Sequence, residues 1–313
     1  MKKILFIFIL LASAFFANAQ QENHYTMFMY NKIMYNPGVA GAREVPSVMA
    51  LYRNQWISYK GAPQSQLINF DTPLGKTRAS IGAQVSHHKI GVQRNIFANL
   101  AYSYAIVRTK TTSLRMGLNG AFQNYMYDFN DPELYVRDGV SGDVTVSEAN
   151  QQKISKGNFG TGIYFDHKNF YVGLSAPNLL QNGITSTAIQ YRHFYAMAGA
   201  VLPLSSSIDL KPAASVRYVD NAPISFDANL MFIFAKKFHV GASYRIDSQA
   251  KSESTDFILY FQPMGQLGFG LAYDLTVSGL GKASRNTIEA LVRYDLRNAN
   301  GINGKFDNPR FFF

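Results

Sequence analysis

The chain of 313 residues contains no cysteine, so neither a disulfide framework nor a thiolate metal site is available to it. Charged residues are scarce at 16%, and there is one tryptophan, Trp56. No run of about 18 apolar residues follows the first 20 positions, which excludes a membrane-spanning helix beyond that point. The motifs of the common hydrolase, zinc-protease and phosphate-binding sites, G-x-S-x-G, H-E-x-x-H and G-x-x-x-x-G-K-[ST], are all missing. The chain therefore calls for no cofactor and no metal, and shows no catalytic constellation. Its formal charge is +10, but the lysines and arginines are scattered rather than clustered. That distribution does not suit nucleic acid, and for an exported protein it points to anionic lipid or lipopolysaccharide headgroups.

Aromatic residues are present in quantity, with 24 Phe and 19 Tyr. The start has the three parts of a secretory signal: Lys2 and Lys3, an apolar core over 4–11, and Ala17-Asn18-Ala19. Cleavage after Ala19 is expected, leaving an exported chain from Gln20. Removing Lys2 and Lys3 lowers the formal charge from +10 to +8.

The remaining chain is organised by strict alternation. In residues 238–247 the even positions are Phe238, Val240, Ala242, Tyr244 and Ile246, and the odd ones are His239, Gly241, Ser243, Arg245 and Asp247. Successive side chains of a strand point to opposite faces, so one face is apolar and the other small or polar. The pattern recurs fourteen times between residues 47 and 296. Short connections (72–78, 107–112, 166–169, 203–207, 235–237, 262–266) alternate with mostly longer ones (54–63, 89–95, 129–156, 178–192, 219–224, 247–254, 276–286). An even strand number, short turns at one end and aromatics near strand ends predict an all-β fold, a transmembrane antiparallel β-barrel of about 14 strands. A soluble sandwich would instead put its apolar face in the core. On a lumen-facing strand surface Arg245 needs a carboxylate from a neighbour, with Asp227 and Asp274 as candidates.

The expected organisation is a cleaved signal peptide (1–19), an N-terminal segment (20–45), the barrel (46–296) and a C-terminal tail (297–313). In the N-terminal segment Met27, Tyr30, Ile33 and Met34 fall at helical spacing and Asn36-Pro37-Gly38 ends the pattern, predicting a short helical or irregular element packed on the body. His87-His88, near an outer strand end, cannot chelate together because neighbours on a strand face opposite ways, and both are expected to be solvated. Asp128, Asp131 and Glu133 lack the order of a calcium loop. Gly157, Gly160 and Gly162 mark close backbone approach or bends. Trp56 suits an interfacial anchor.

Several local elements resemble those of one family. Tyr30-Asn31 with Asn36-Pro37-Gly38-Val39-Ala40-Gly41 is similar to an N-P-x-x-A-G element, and Arg53-Asn54-Gln55-Trp56 with Gly61-Ala62-Pro63 to an R-x-Q-W…G-x-P element. Ser175-Ala176-Pro177-Asn178-Leu179 and the terminal Asn308-Pro309-Arg310-Phe311 also fit. The chain thus resembles the PorP/SprF-like outer-membrane proteins of type IX secretion and gliding motility. The resemblance implies an outer-membrane barrel without enzymatic activity. It also implies a role in secreting or anchoring a partner such as a large adhesin with a C-terminal sorting domain, and contact with other secretion components. It makes Asn36, Pro37, Gly41, Arg53, Gln55, Trp56, Gly61, Pro63, Asn308, Pro309, Arg310 and Phe311 candidates for structural or partner-binding roles. A small-solute or hydrophobic-substrate diffusion channel is the competing expectation, because 14 strands fall between side-chain-filled barrels and open porins.

Overall fold

The computed structural model describes residues 24–57, 59–128, 153–183, 189–249, 252–276 and 286–296. Fourteen long antiparallel strands form the wall: β1 (Ser47–Asn54), β2 (Gln64–Pro73), β3 (Ala79–Ile90), β4 (Gln93–Arg108), β5 (Thr112–Tyr127), β6 (Lys153–His167), β7 (Phe170–Asn178), β8 (His193–Ala200), β9 (Ile208–Val219), β10 (Ser225–Phe234), β11 (Phe238–Asp247), β12 (Ser252–Met264), β13 (Leu267–Thr276) and β14 (Thr287–Asp295). Each pairs with its neighbours in sequence, and β14 returns to β1 in register from Ser47↔Asp295 to Asn54↔Ile288. The sheet is closed and leaves no edge, the condition for a sheet in hydrocarbon.

Alternation of burial gives the wall its two faces. On β10 and β11 the outward residues Phe226, Leu230, Phe234, Phe238, Val240 and Tyr244 are exposed, and Asp227, Met231, Ile233, His239, Ser243 and Arg245 are buried inside. Outward aromatics collect at two levels. Phe194, Tyr218, Phe226, Tyr244 and Tyr273 lie toward the long-loop end, and Phe170, Phe234, Phe238, Phe261 and Tyr294 toward the short-turn end. Between them Leu100 (70% exposed) and Leu118 (64%) carry the apolar band. Aromatic girdles around such a band are what a bilayer selects.

One expectation about the chain's path needs correction and another gains its place in the fold. The connection at 89–95, expected among the longer ones, is a two-residue turn, since β3 and β4 stay paired out to Ile90↔Gln93. Gly91 turns the chain there with φ +54°, a conformation glycine adopts without cost. The N-terminal segment, expected as a short helical or irregular element packed on the body, is irregular and packs on the inner surface of the barrel as three 3-10 turns, Phe28–Tyr30, Lys32–Met34 and Pro37–Val39. An α-helix is unnecessary because the wall supplies the donors its carbonyls need. Arg293 donates to Tyr30 O, Ser175 Oγ to Tyr35 O (2.7 Å) and Ser103 Oγ to Ala40 O (2.7 Å).

The main core is therefore in the lumen. Tyr25, Met27, Met29, Tyr30 and Tyr35 of the segment pack against inward Met49, Leu51, Met231, Ile258 and Tyr260 of the wall. Tyr30 stacks on Tyr260 with ring centroids 4.4 Å apart and receives Lys211 Nζ over its face at 4.1 Å. Such contacts add to the hydrophobic gain of burying the rings.

Candidate functional site: the filled lumen

The segment enters the described structure at His24 and runs down the lumen before joining β1. Near the long-loop end, Arg53 of β1 sits opposite Glu289 of β14 and beside Asp274 of β13. Its Nη1 donates to Glu289 Oε2 (2.9 Å) and to Thr26 Oγ1 (3.1 Å), and its Nη2 lies 2.7 Å from Asp274 Oδ2. Glu289 in turn accepts the backbone N–H groups of Thr26 (3.0 Å) and Met27 (2.9 Å), and Thr26 Oγ1 donates to Asp274 Oδ1 (2.7 Å). One arginine, two carboxylates and the segment's first turn form a single buried network. Arg53 is held in a fork geometry that lysine could not reproduce.

At the same long-loop end, Arg245 Nε donates to Asp227 Oδ1 at 2.6 Å, one of the two partners the sequence offered. Asp274 belongs to Arg53 instead. His24 lies 4.0 Å from Asp227. Lys32 donates to Tyr164 OH (3.0 Å) with its Nζ 4.0 Å from the centre of the Tyr171 ring. At the short-turn end Arg43 makes a two-pronged contact with Asp295, which also accepts from Ser47 Oγ at 2.7 Å.

The N-P-x-x-A-G element fills the middle of the lumen. Asn36 caps the third turn by accepting Gly38 N–H at 2.8 Å, and its Nδ2 donates to Ile163 O (3.0 Å) and Leu174 O (3.4 Å), carbonyls of directly opposed residues on β6 and β7. Pro37 opens that turn with its fixed φ. Gly41 has φ +69°, donates to Asp71 Oδ2 at 2.7 Å, and a Cβ there would fall 2.2 Å from Ser80 Oγ. The wall makes room by glycine as well. A Cβ on Gly117 would meet the Pro37–Gly38 backbone at 2.3 Å, and one on Gly162 the Asn36 Oδ1 at 2.2 Å. Gly117→Ala is expected to cost about 1–3 kcal/mol, because backbone cannot yield as a flexible side chain can. Denaturant unfolding in detergent checks this; an unchanged midpoint would mean that the segment does not press on β5.

The R-x-Q-W…G-x-P element divides. Arg53 points into the lumen, and the rest forms the β1–β2 connection at the long-loop rim. Gln55 N–H donates to Pro63 O (2.9 Å), Trp56 adopts φ +55° with its N–H toward Thr287 Oγ1 (3.4 Å), and Gly61, at φ +76°, accepts Gly91 N–H (2.8 Å). Trp56 is half-buried there. Asn308, Pro309, Arg310 and Phe311 lie outside the described residues, as do Asp131 and Glu133, residues 1–23, and most of the 129–156 connection. Ser175-Ala176-Pro177-Asn178 bends inward at the end of β7. Asn119 Nδ2 donates to Pro177 O (3.2 Å), and a Cβ on Gly160 would collide with Pro177 at 2.3 Å. His88, expected to be solvated, turns inward and bonds to the hydroxyls of Ser86 (2.9 Å) and Ser65 (3.0 Å). His167 bonds Thr112 Oγ1 (2.8 Å) while Asp166, its neighbour, faces the lumen, so the two do not assemble a Ser/His/Asp set. Among the described residues no three His, Asp or Glu side chains form a metal cluster.

Sequence reasoning missed Thr26, Arg43, Glu289, Arg293 and Asp295 as parts of this site. The signal was available only as polar positions on the inward face of β14, Thr287, Glu289, Arg293 and Asp295, a face the alternation already assigned to the lumen.

Two solved structures are similar in fold. CymD, a monoaromatic hydrocarbon channel, shares 11% identity over 86% of this chain and 93% of its own, with a TM-score of 0.53. The Acinetobacter baumannii outer membrane protein Omp33 shares 8% over 81% and 98%, with a TM-score of 0.48. No protein with a curated description matches the sequence. The family model for the type IX secretion system membrane protein PorP/SprF matches residues 17–294. The chain, a closed 14-strand barrel of the outer membrane, belongs to the PorP/SprF family of type IX secretion membrane proteins.

Proposed function

We propose that this barrel acts without catalysis in type IX secretion, as an outer-membrane partner that helps secrete a cargo protein or holds it at the cell surface. The cargo would carry a C-terminal sorting domain, as a large adhesin of gliding motility does, and the connections at 129–156 and 178–192 would engage it. Loops positioned by a rigid wall are where binding concentrates. Other components of the secretion machine would contact the short-turn face. One observation carries the reading: the lumen is occupied by the chain's own residues 24–45, bonded to the wall through their backbone, whereas a diffusion channel needs a free path.

Affinity capture of the tagged barrel from native outer membranes tests the proposal. Recovery of a large secreted protein with a C-terminal sorting domain, lost when residues 129–152 are replaced by a short turn, is the expected result. Recovery of the barrel alone would overturn it.

A further inference from the structure

The wall's contacts with the segment are unevenly spread. β14 closes the barrel on β1, and three of its inward side chains are charged: Glu289, Arg293 and Asp295. All three reach residues 26–43. Glu289 accepts two backbone N–H groups, Arg293 donates to Tyr30 O, and Asp295 takes Arg43. Their β1 partners join the same groups. Arg53, opposite Glu289, donates to Thr26. Arg293 also reaches the sulfur of Met49 opposite it (3.5 Å), and Ser47, opposite Asp295, donates to that carboxylate. Without the segment Asp295 would lose Arg43, Glu289 its two backbone N–H donors and Arg293 the Tyr30 carbonyl, so these charges of the seam would each give up a charge-assisted partner. The other wall strands offer the segment mostly neutral donors and acceptors or carry a single charge toward it.

We propose that the inward face of β14 is a docking site for residues 26–43, and that its occupancy locks the β1–β14 seam. The barrel then closes around a segment already in place, and opening the seam and withdrawing the segment are one event. Because the segment's bound N-terminal turn lies toward the long-loop end and its link to β1 at the short-turn end, it can leave only toward the short turns, the periplasmic side of such barrels. This inference is independent of what the barrel exports.

Backbone hydrogen exchange of the full chain in lipid nanodiscs tests it. The double variant Met27→Pro, Arg43→Gln removes one N–H from Glu289 and the cation from Asp295 without altering the wall. Amides of residues 47–54 and 287–295 are expected to exchange about tenfold faster or more, with those of β3 to β5 unchanged. Unchanged seam amides, or equal acceleration in every strand, would overturn the proposal. Should the variant fail to assemble, the pair Tyr52→Cys, Ala290→Cys, directly opposed across the seam in a cysteine-free chain, is added to it. Oxidation is then expected to restore a folded barrel, and failure to restore it would equally overturn the proposal.

Discussion

Replacing Arg53 by alanine is expected to destabilise the barrel by about 3–5 kcal/mol, the cost of removing one member from a buried ionic set. Arg53 is 5% exposed, and its removal strands Glu289 (0%) and Asp274 (2%) in the interior without their cation. The loss comes chiefly from those two carboxylates rather than from the missing attraction. Adding Glu289→Gln to Arg53→Ala is therefore expected to return part of the stability, since one of the two stranded charges is gone. Denaturant unfolding of the two single variants and the double variant measures this. A double variant as unstable as the sum of the singles would show that the groups act separately.

Leu100→Arg is expected to cost about 2–4 kcal/mol in lipid, the penalty of a cation near the bilayer midplane. Leu100 stands on the outer face of β4, four residues above Tyr104 of the short-turn aromatic level, and is 70% exposed. The side chain has no inward route and would have to snorkel about half the membrane thickness. The companion Lys76→Arg, in the β2–β3 turn, is expected to be neutral. Refolding titrations into bilayers compare them, and equal stability of Leu100→Arg and the wild type would place β4 outside the membrane.

The wall was legible in the sequence because its physics is local. Period-2 alternation, turn residues and the alternating lengths of connections are each written within about ten residues, and fourteen strands follow from counting them. The pairing of Arg245 with Asp227 was legible for the same reason, as an inward cation needs an inward anion on an adjacent strand. The interior was not. Residues 24–45 contain apolar positions at helical spacing, but whether their carbonyls bond within a helix or to a wall depends on donors such as Ser103, Ser175 and Arg293, far away in the chain. Gly162 was legible as a point of close approach but not what approaches it, and Gly117 reads as an ordinary strand glycine until the segment is in position. The family elements marked Asn36, Pro37, Gly41 and Arg53 as special without saying why. Their positions show that these four belong to the lumen and its occupant, while Gln55, Trp56, Gly61 and Pro63 shape the rim.

Single-channel conductance in planar bilayers tests most directly whether residues 24–45 fill the lumen of a closed barrel. The intact protein is expected to show no steady open channel. Gly41→Arg, which forces a long side chain onto Ser80 and requires a left-handed backbone that arginine rarely adopts, is expected to loosen the segment and produce openings. A steady conductance in the intact protein, unaltered by that substitution, would contradict a lumen filled by its own N-terminal segment.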